Sequence, residues 1–219
     1  MCVSNASNKT EQNTIQGGVM KISLLGLPGS GKTTTANLLS GMFNIMTISS
    51  GALARAHGFS GSQAEKEGQL DPDEQKIRRL VKEAVGSSTD YILDGFPRTI
   101  DQIEEVDIPL DAVVYLKLPD HNLGVNRLLE RGRPDDTLEI IAMRIATYVT
   151  STAPLIPYFK DKDLLVTVDA SQSIGATIAS TIQKLADKGV FEATDYIKQL
   201  IRNVEKEVAQ FSNPGEKGR

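Results

Sequence analysis

The run Gly26-Leu27-Pro28-Gly29-Ser30-Gly31-Lys32-Thr33 has the residue types and spacing for phosphate chemistry. An apolar segment, Met20 to Gly26, leads into it, and helical spacing (Ala36, Leu39, Phe43) follows. A glycine-rich turn between a strand and a helix aims backbone N–H groups at an anion, and the helix start adds partial positive charge. Gly29, Ser30, Gly31, Lys32, Thr33 and Thr34 are the expected triphosphate contacts, with Lys32 as point charge for the β- and γ-phosphates. The Thr33 hydroxyl is suited to a magnesium ion, directly or through its water shell. A structural turn ending by chance in Lys-Thr is the bland alternative, which the combination of strand, spacing and helix disfavours. The loop alone does not separate GTPases, ATPases and kinases. The guanine-recognition pattern Asn-Lys-x-Asp is absent downstream.

A second run, Tyr91-Ile92-Leu93-Asp94-Gly95-Phe96-Pro97-Arg98-Thr99, reads as an apolar strand delivering a carboxylate. Asp94 is placed to hold magnesium, largely through water. Gly95 and Pro97 shape a turn that returns Arg98 to the same edge, where a guanidinium suits a phosphate better than an ammonium. The competing reading is a surface pair between Asp94 and Arg98. Further along, Arg127 and Arg131 lie four apart on an expected helix, Arg133 follows, and Arg144 sits on the next helix. Four guanidiniums repel unless an anion sits among them, as a transferring phosphoryl group would. Glu130, Asp135 and Asp136 could instead make this a solvated basic face.

These residues need a frame that gathers them. Short apolar strands are expected at Met20–Gly26, Ile45–Ser49, Tyr91–Leu93, Ala112–Leu118 and Leu164–Val168. Helices are expected at Thr34–Phe43, from Asp71-Pro72 onward with the face Ile77, Leu80, Val81, Ala84, Val85, at 120–131, and at 136–150. The last of these carries Leu138, Ile141, Ile145 and Val149 on one side. Such alternation predicts an α/β fold, a five-stranded parallel sheet covered on both faces. Ligands then sit at the carboxyl ends of the strands, so the Gly26 turn, Ser49-Ser50-Gly51 and Asp94-Gly95 should share one edge. Residues 1–18 read as a flexible polar tail closed by Gly17-Gly18. Beyond Gly189, the residues Tyr196, Ile197, Leu200, Ile201, Val204, Val208 and Phe211 form an amphipathic stripe. It reads as a final helix docked on the body or as an oligomer contact.

In order, Gly-x-Pro-Gly-x-Gly-Lys, Ile-Ser-Ser-Gly-Ala-Leu-Ala-Arg and Asp-Gly-Phe-Pro-Arg-Thr-Ile-Asp-Gln resemble the adenylate kinase group of P-loop nucleoside monophosphate kinases, from about Lys21 to Leu185. The resemblance implies the three-layer P-loop NTPase fold and magnesium-dependent transfer of the γ-phosphoryl group from ATP to a nucleoside monophosphate, here AMP. It implies a kinase domain over 19–189, with an acceptor-binding insert at about 50–86 and a short lid at about 131–136, followed by a C-terminal helix and tail at 190–219. Ser50, Arg55, Gln69, Leu70, Asp71, Gly95, Phe96, Pro97, Arg98 and Gln102 then form the acceptor pocket, with Arg55 on its phosphate and Gln102 on its base. Arg127 stacks on the donor adenine, and Arg131, Arg133 and Arg144 join Lys32 and Arg98 around the transferred group.

The match departs at three points. Thr33 stands where the family has Gly, and Ala52 where Asp is common. Only Gly132 separates Arg131 from Arg133, so the lid is expected to be shorter than the family's short form. The segment between Arg55 and Gly68 is also trimmed. Small flaps predict weaker water exclusion and more ATP hydrolysis. A UMP/CMP or deoxynucleoside monophosphate kinase remains open, as does a nucleotide-binding regulatory module without catalysis.

Bulk composition agrees with an ordinary globular enzyme. The chain has 219 residues, 40% hydrophobic and 24% charged, with net charge -4, five per cent aromatics and no Trp, which predicts neither a nucleic-acid nor a membrane partner. One cysteine, Cys2, and two isolated histidines, His57 and His121, offer no disulfide or zinc cluster. The absence of an apolar secretory segment and of a membrane span predicts a cytoplasmic location.

Overall fold

The computed structural model describes residues 20–58 and 72–195, together with 197–199, 201–203 and 206. Five strands, β1 (Lys21–Gly26), β2 (Thr47–Ser49), β3 (Tyr91–Asp94), β4 (Ala112–Lys117) and β5 (Leu165–Asp169), form one parallel sheet in the order β2-β3-β1-β4-β5. In the central strands β1, β3 and β4 the apolar runs alternate between faces that are both buried. Ile22, Leu24, Ile92, Val114, Leu116, Val166 and Val168 belong to one cluster. Leu93, Tyr91 and Ile48 belong to a second, Leu25 and Val113 to a third. Each such side chain taken fully out of water contributes about 1.5–3 kcal/mol.

Helices cover both faces. The larger cluster takes in α1 (Lys32–Phe43) through Ala36, Leu39 and Phe43, and α8 (Ile174–Asp187) through Ile178, Ile182 and Leu185. Phe191, Ile197 and Ile201 join it, so these two members of the C-terminal stripe are docked on the body. The other face receives α3 (Pro72–Val85) through Val81 and Val85, α4 (Ile100–Val106) through Val106, and α7 (Leu155–Asp161) through Leu155 and Phe159. The remaining helices are α2 (Ser50–Ala56), α5 (His121–Arg131) and α6 (Leu138–Thr147). β1 is flanked by β3 and β4, so successive crossovers leave it in opposite directions, the topology that opens a crevice at the strand ends.

Several sequence expectations require correction. α1 begins at Lys32 rather than Thr34, because Gly31 takes a left-handed conformation (φ 90°) and acts as the cap. β2 begins at Thr47 rather than Ile45. The Asn44 and Ile45 N–H groups instead close α1 on the Ser40 carbonyl. The expected stripe on 136–150 does not hold as one face. Ile141 is buried, but Leu138 is 60% exposed and Val149 49%. A π turn at Tyr148–Thr152, with Ala153 N–H donating to the Tyr148 carbonyl, rotates the chain so that Tyr148 enters the core instead. The helices α2, α4, α7 and α8 went without assignment in the sequence. α2, α4 and α7 span only seven residues each, and α7 contains Pro157.

Candidate active site

The register brings the predicted motifs to one edge: Leu24 pairs with Asp94, and Asp94 with Ser49. The phosphate loop between β1 and α1 turns on Gly29 (φ 81°) and Gly31 (φ 90°). No side chain caps α1, and its first turn holds no acidic residue. Its leading N–H groups, from Lys32, Thr33 and Thr34, therefore have no acceptor of their own within the helix and face the position an anion would take. The loop is also held from behind. A Cβ on Gly29 would lie 2.2 Å from the Gly124 carbonyl oxygen, and one on Gly124 would lie 2.6 Å from the Pro28 carbonyl oxygen. Gly124 of α5 is thus part of the phosphate loop's seating. Sequence reasoning missed it, although a glycine inside a helical pattern signals close packing.

Lys32 folds back over the loop and donates to the Gly26 and Leu27 carbonyls at 2.7 and 3.0 Å. Half-buried in the cleft, its ammonium is pushed down to about 8, chiefly by desolvation; Asp94 opposes the shift, while Arg98 and Arg131 add to it. Ser30 is 2% exposed, and its hydroxyl has no hydrogen-bond partner among the described residues.

Asp94 gathers oxygen ligands. The Thr33 hydroxyl donates to Oδ2 at 2.7 Å and the Ser49 hydroxyl to the same oxygen at 3.0 Å. Ser49 was missed because its neighbour Ser50 carries the motif. A carboxylate with two hydroxyls is an all-oxygen donor set, which suits a hard cation such as Mg²⁺. Among the described residues no group of three or more His, Cys, Asp or Glu could hold a metal, so an ion here would draw its remaining ligands from phosphate oxygens and water.

Asp94 and Arg98 do not pair directly. Arg98 Nε donates to the Gly95 carbonyl at 2.9 Å, and its Nη2 reaches the Ser50 hydroxyl at 3.3 Å. The surrounding cleft lowers the Arg98 pKa, although the side chain keeps a solvent-facing edge. Asp94 opposes this and Arg144 reinforces it. The guanidinium remains charged at neutral pH. Ser50 is buried and donates to the Gly95 carbonyl at 2.7 Å, tying α2 to the turn after β3. Pro97 follows a cis bond. Phe96 sends its ring into the core, while its carbonyl accepts the buried Ser23 hydroxyl at 2.7 Å. Gln102 is also buried, and both ends of its amide are occupied by protein groups. Arg55, exposed on α2, forms no ion pair among the described residues. Gln69, Leu70 and Asp71 lie outside the described residues.

The arginine cluster is organised by acid. Arg131 makes a fork to both oxygens of Asp136, from Nε at 2.8 Å and Nη2 at 2.7 Å. Arg144 donates to the same carboxylate from Nη1 at 3.1 Å and to Asp135 from Nη2. The Asp136 side chain is fully buried beneath guanidiniums that remain about one-third exposed. The hydrogen bonds from Arg131 hold its carboxyl below the usual carboxylate range. α5 ends on a left-handed Gly132 (φ 63°), α6 begins at Leu138 after the Thr137 cap, and between them Arg133 forms no ion pair among the described residues. Arg127 donates from Nη1 to the Ala170 carbonyl at 2.8 Å, just past the end of β5.

A family model described as adenylate kinase matches residues 24–164. The adenylate kinase of Prochlorococcus marinus strain MIT 9301 is 38% identical over 180 residues, covering 75% of this chain and 98% of the relative. That of Mycobacteroides abscessus is 37% identical over 182 residues (76% and 99%), and that of Corynebacterium urealyticum 38% over 172 (71% and 93%). The curated matches span nearly the whole length of each relative, and the residues matched by the family model contain the phosphate loop, the run from Asp94 to Gln102 and the four arginines. The chain belongs to the adenylate kinase family of phosphotransferases.

Proposed function

We propose that this protein transfers the γ-phosphoryl group of ATP to AMP, yielding two molecules of ADP. The observation that carries the reading is geometric. Thr33 of the phosphate loop and Ser49, which caps α2, share one oxygen of Asp94, and Arg98 reaches the Ser50 hydroxyl beside it. Groups read as donor and acceptor contacts therefore line one cleft edge, close enough to act on one polyanion. Membership of the adenylate kinase family supports the same reaction.

In this reading the phosphate loop and Lys32 hold the triphosphate, while Arg55 and Arg98 hold the acceptor phosphate. Arg131, Arg133 and Arg144 balance the charge that spreads over the transferred group. No side chain needs to act as nucleophile, since the acceptor phosphate oxygen attacks in line. Thr33 and Asp94 would hold Mg²⁺, which supplies charge neutralisation on the β- and γ-phosphates when bound. Retention of Lys32, Asp94, Arg98 and the arginine cluster argues against a purely regulatory module. Among the described residues no helix is long and apolar enough to cross a membrane.

The test is ADP formation from ATP·Mg²⁺ with a panel of nucleoside monophosphates, with Lys32→Ala as control. AMP should be the preferred acceptor by at least an order of magnitude in kcat/KM. Equal use of UMP or CMP, or no diphosphate above the control, would sink the proposal.

A further inference from the structure

Gln102 sits at the start of α4 with its amide fixed from both sides. Its Oε1 accepts the Arg98 backbone N–H at 2.7 Å, and its Nε2 donates to Glu74 Oε1 at 3.0 Å. A backbone N–H can only donate and a carboxylate can only accept, so the partners dictate which way round the amide lies. One amide N–H and one carbonyl lone pair are left over, in a fixed order.

Glu74 is itself held. Arg78, one turn further along α3, donates from Nη2 to the same Glu74 oxygen at 2.8 Å, and from Nη1 to Glu105 of α4. The Arg78 side chain is 6% exposed, against 27% for Glu74 and 56% for Glu105. Burial opposes its charge, and the two carboxylates more than offset that, so its pKa is raised. Its Nε–H is buried with no partner among the described residues. A buried guanidinium with one donor unpaired is a costly way to join two helices; apolar residues of similar volume would do it as well or better. Its distinctive effect is to set the position of one carboxylate.

We infer that Arg78 is a positioning residue for acceptor recognition: braced by Glu105, it fixes Glu74, and Glu74 fixes the orientation of the Gln102 amide. The inference rests on the reading of Gln102 as the acceptor-base contact. An adenine edge places an amino donor beside a ring-nitrogen acceptor, whereas a 6-oxopurine edge presents an oxygen acceptor at the amino position. An amide locked in one orientation matches one of these and leaves unpaired groups against the other. An amide free to turn over accepts both.

The experiment is steady-state kinetics with ATP·Mg²⁺ and either AMP or inosine monophosphate as acceptor. The variants are Arg78→Met, Arg78→Lys, Glu105→Gln, Gln102→Ala and the Arg78→Met/Gln102→Ala pair, each checked for folding by thermal melting. Arg78→Met should raise the KM for AMP about tenfold and narrow the AMP preference by a similar factor, leaving kcat and the KM for ATP unchanged. Arg78→Lys should recover part of both. Glu105→Gln, at a more exposed position, should shift both in the same direction by less. The pair should be no worse than Gln102→Ala alone. If Gln102→Ala raises the KM for AMP while Arg78→Met and Glu105→Gln leave it and the base preference unchanged, Arg78 is only a helix tie and the inference fails. Should Arg78→Met not fold, an unchanged preference in Glu105→Gln overturns it equally. If Gln102→Ala itself has no effect on AMP, the base-contact reading falls and takes this inference with it.

Discussion

The two regions proposed to handle phosphate are built in opposite ways. The loop from Gly26 to Thr33 is held by backbone geometry and by contact with Gly124, which leaves no room for a single extra carbon. The corner from Arg131 to Arg144 is held by charge, with two guanidiniums tied to a buried Asp136 and an adjoining Asp135. A loop fixed by steric contact presents its N–H groups in one geometry before any ligand arrives. A corner fixed by ion pairs can exchange a carboxylate partner for a phosphate one and so re-form around the transferred group. The first region suits the donor, which must be aligned. The second suits the part that closes over the reaction.

Removing charge from the donor side should have the largest effect. Lys32→Ala should lower kcat/KM on the order of 10³-fold, with the melting temperature of the ligand-free protein unchanged or raised. Steric seating is tested by Gly124→Ala. Helix propensity alone predicts about 1 kcal/mol of stabilisation for this change. The added Cβ, 2.6 Å from the Pro28 carbonyl, should instead displace the phosphate loop and cost about 10²-fold in kcat/KM for ATP. An ATP profile unchanged in this variant would mean that the loop is not held by contact.

A smaller effect should appear with pH. Because the Lys32 ammonium lies near 8 rather than 10.5, kcat/KM for ATP should fall up to tenfold per unit above about pH 8. Stability moves the other way. The folded protein holds this proton less tightly than the unfolded chain, so the destabilisation from Lys32 is complete below about 8 and is relieved as pH rises towards 10.5. Activity loss with unchanged or rising melting temperature separates this titration from alkaline unfolding.

The charge-held corner should respond most gently. Asp136→Asn should cost about 2 kcal/mol by melting and loosen both arginines, with a several-fold loss of turnover. The Asp136 pKa is depressed by Arg131, so its stabilisation is present above the ordinary carboxylate value of 3.8 and is lost as pH falls through the lower folded value. The stability gap between the two proteins should therefore close in acid. A gap independent of pH would show that packing, rather than charge, holds this corner.

The contrast also explains what was legible in the sequence. Gly29, Gly31, Lys32, Thr33 and Asp94 could be read because the motif is local: strand, turn and helix lie within one continuous run. All five strands could be read because their apolar runs are short and nearly unbroken; β1, β3 and β4 are buried on both faces, while β5 alternates buried Val166 and Val168 with exposed Thr167 and Asp169. Gly124, Ser49 and the bracing of Gln102 by Glu74 and Arg78 could not be read in this way, because each depends on contacts between separate elements. The arginines were visible as a cluster, and the carboxylates beside them were noted only as possible neutralising neighbours. Their arrangement in space is a buried Asp136 gripped by Arg131 and Arg144. Helical spacing misled at Val149, because a π turn breaks the period there, and at Leu138, the exposed first residue of α6.

The central claim is that both regions act on one phosphoryl group passing between two nucleotides. ATP labelled with ³²P at the γ-position, incubated with Mg²⁺, AMP and the protein, tests it most directly. The account predicts label in the terminal phosphate of newly formed ADP. Label appearing only in inorganic phosphate, or remaining in ATP as fully as with Lys32→Ala, would contradict it.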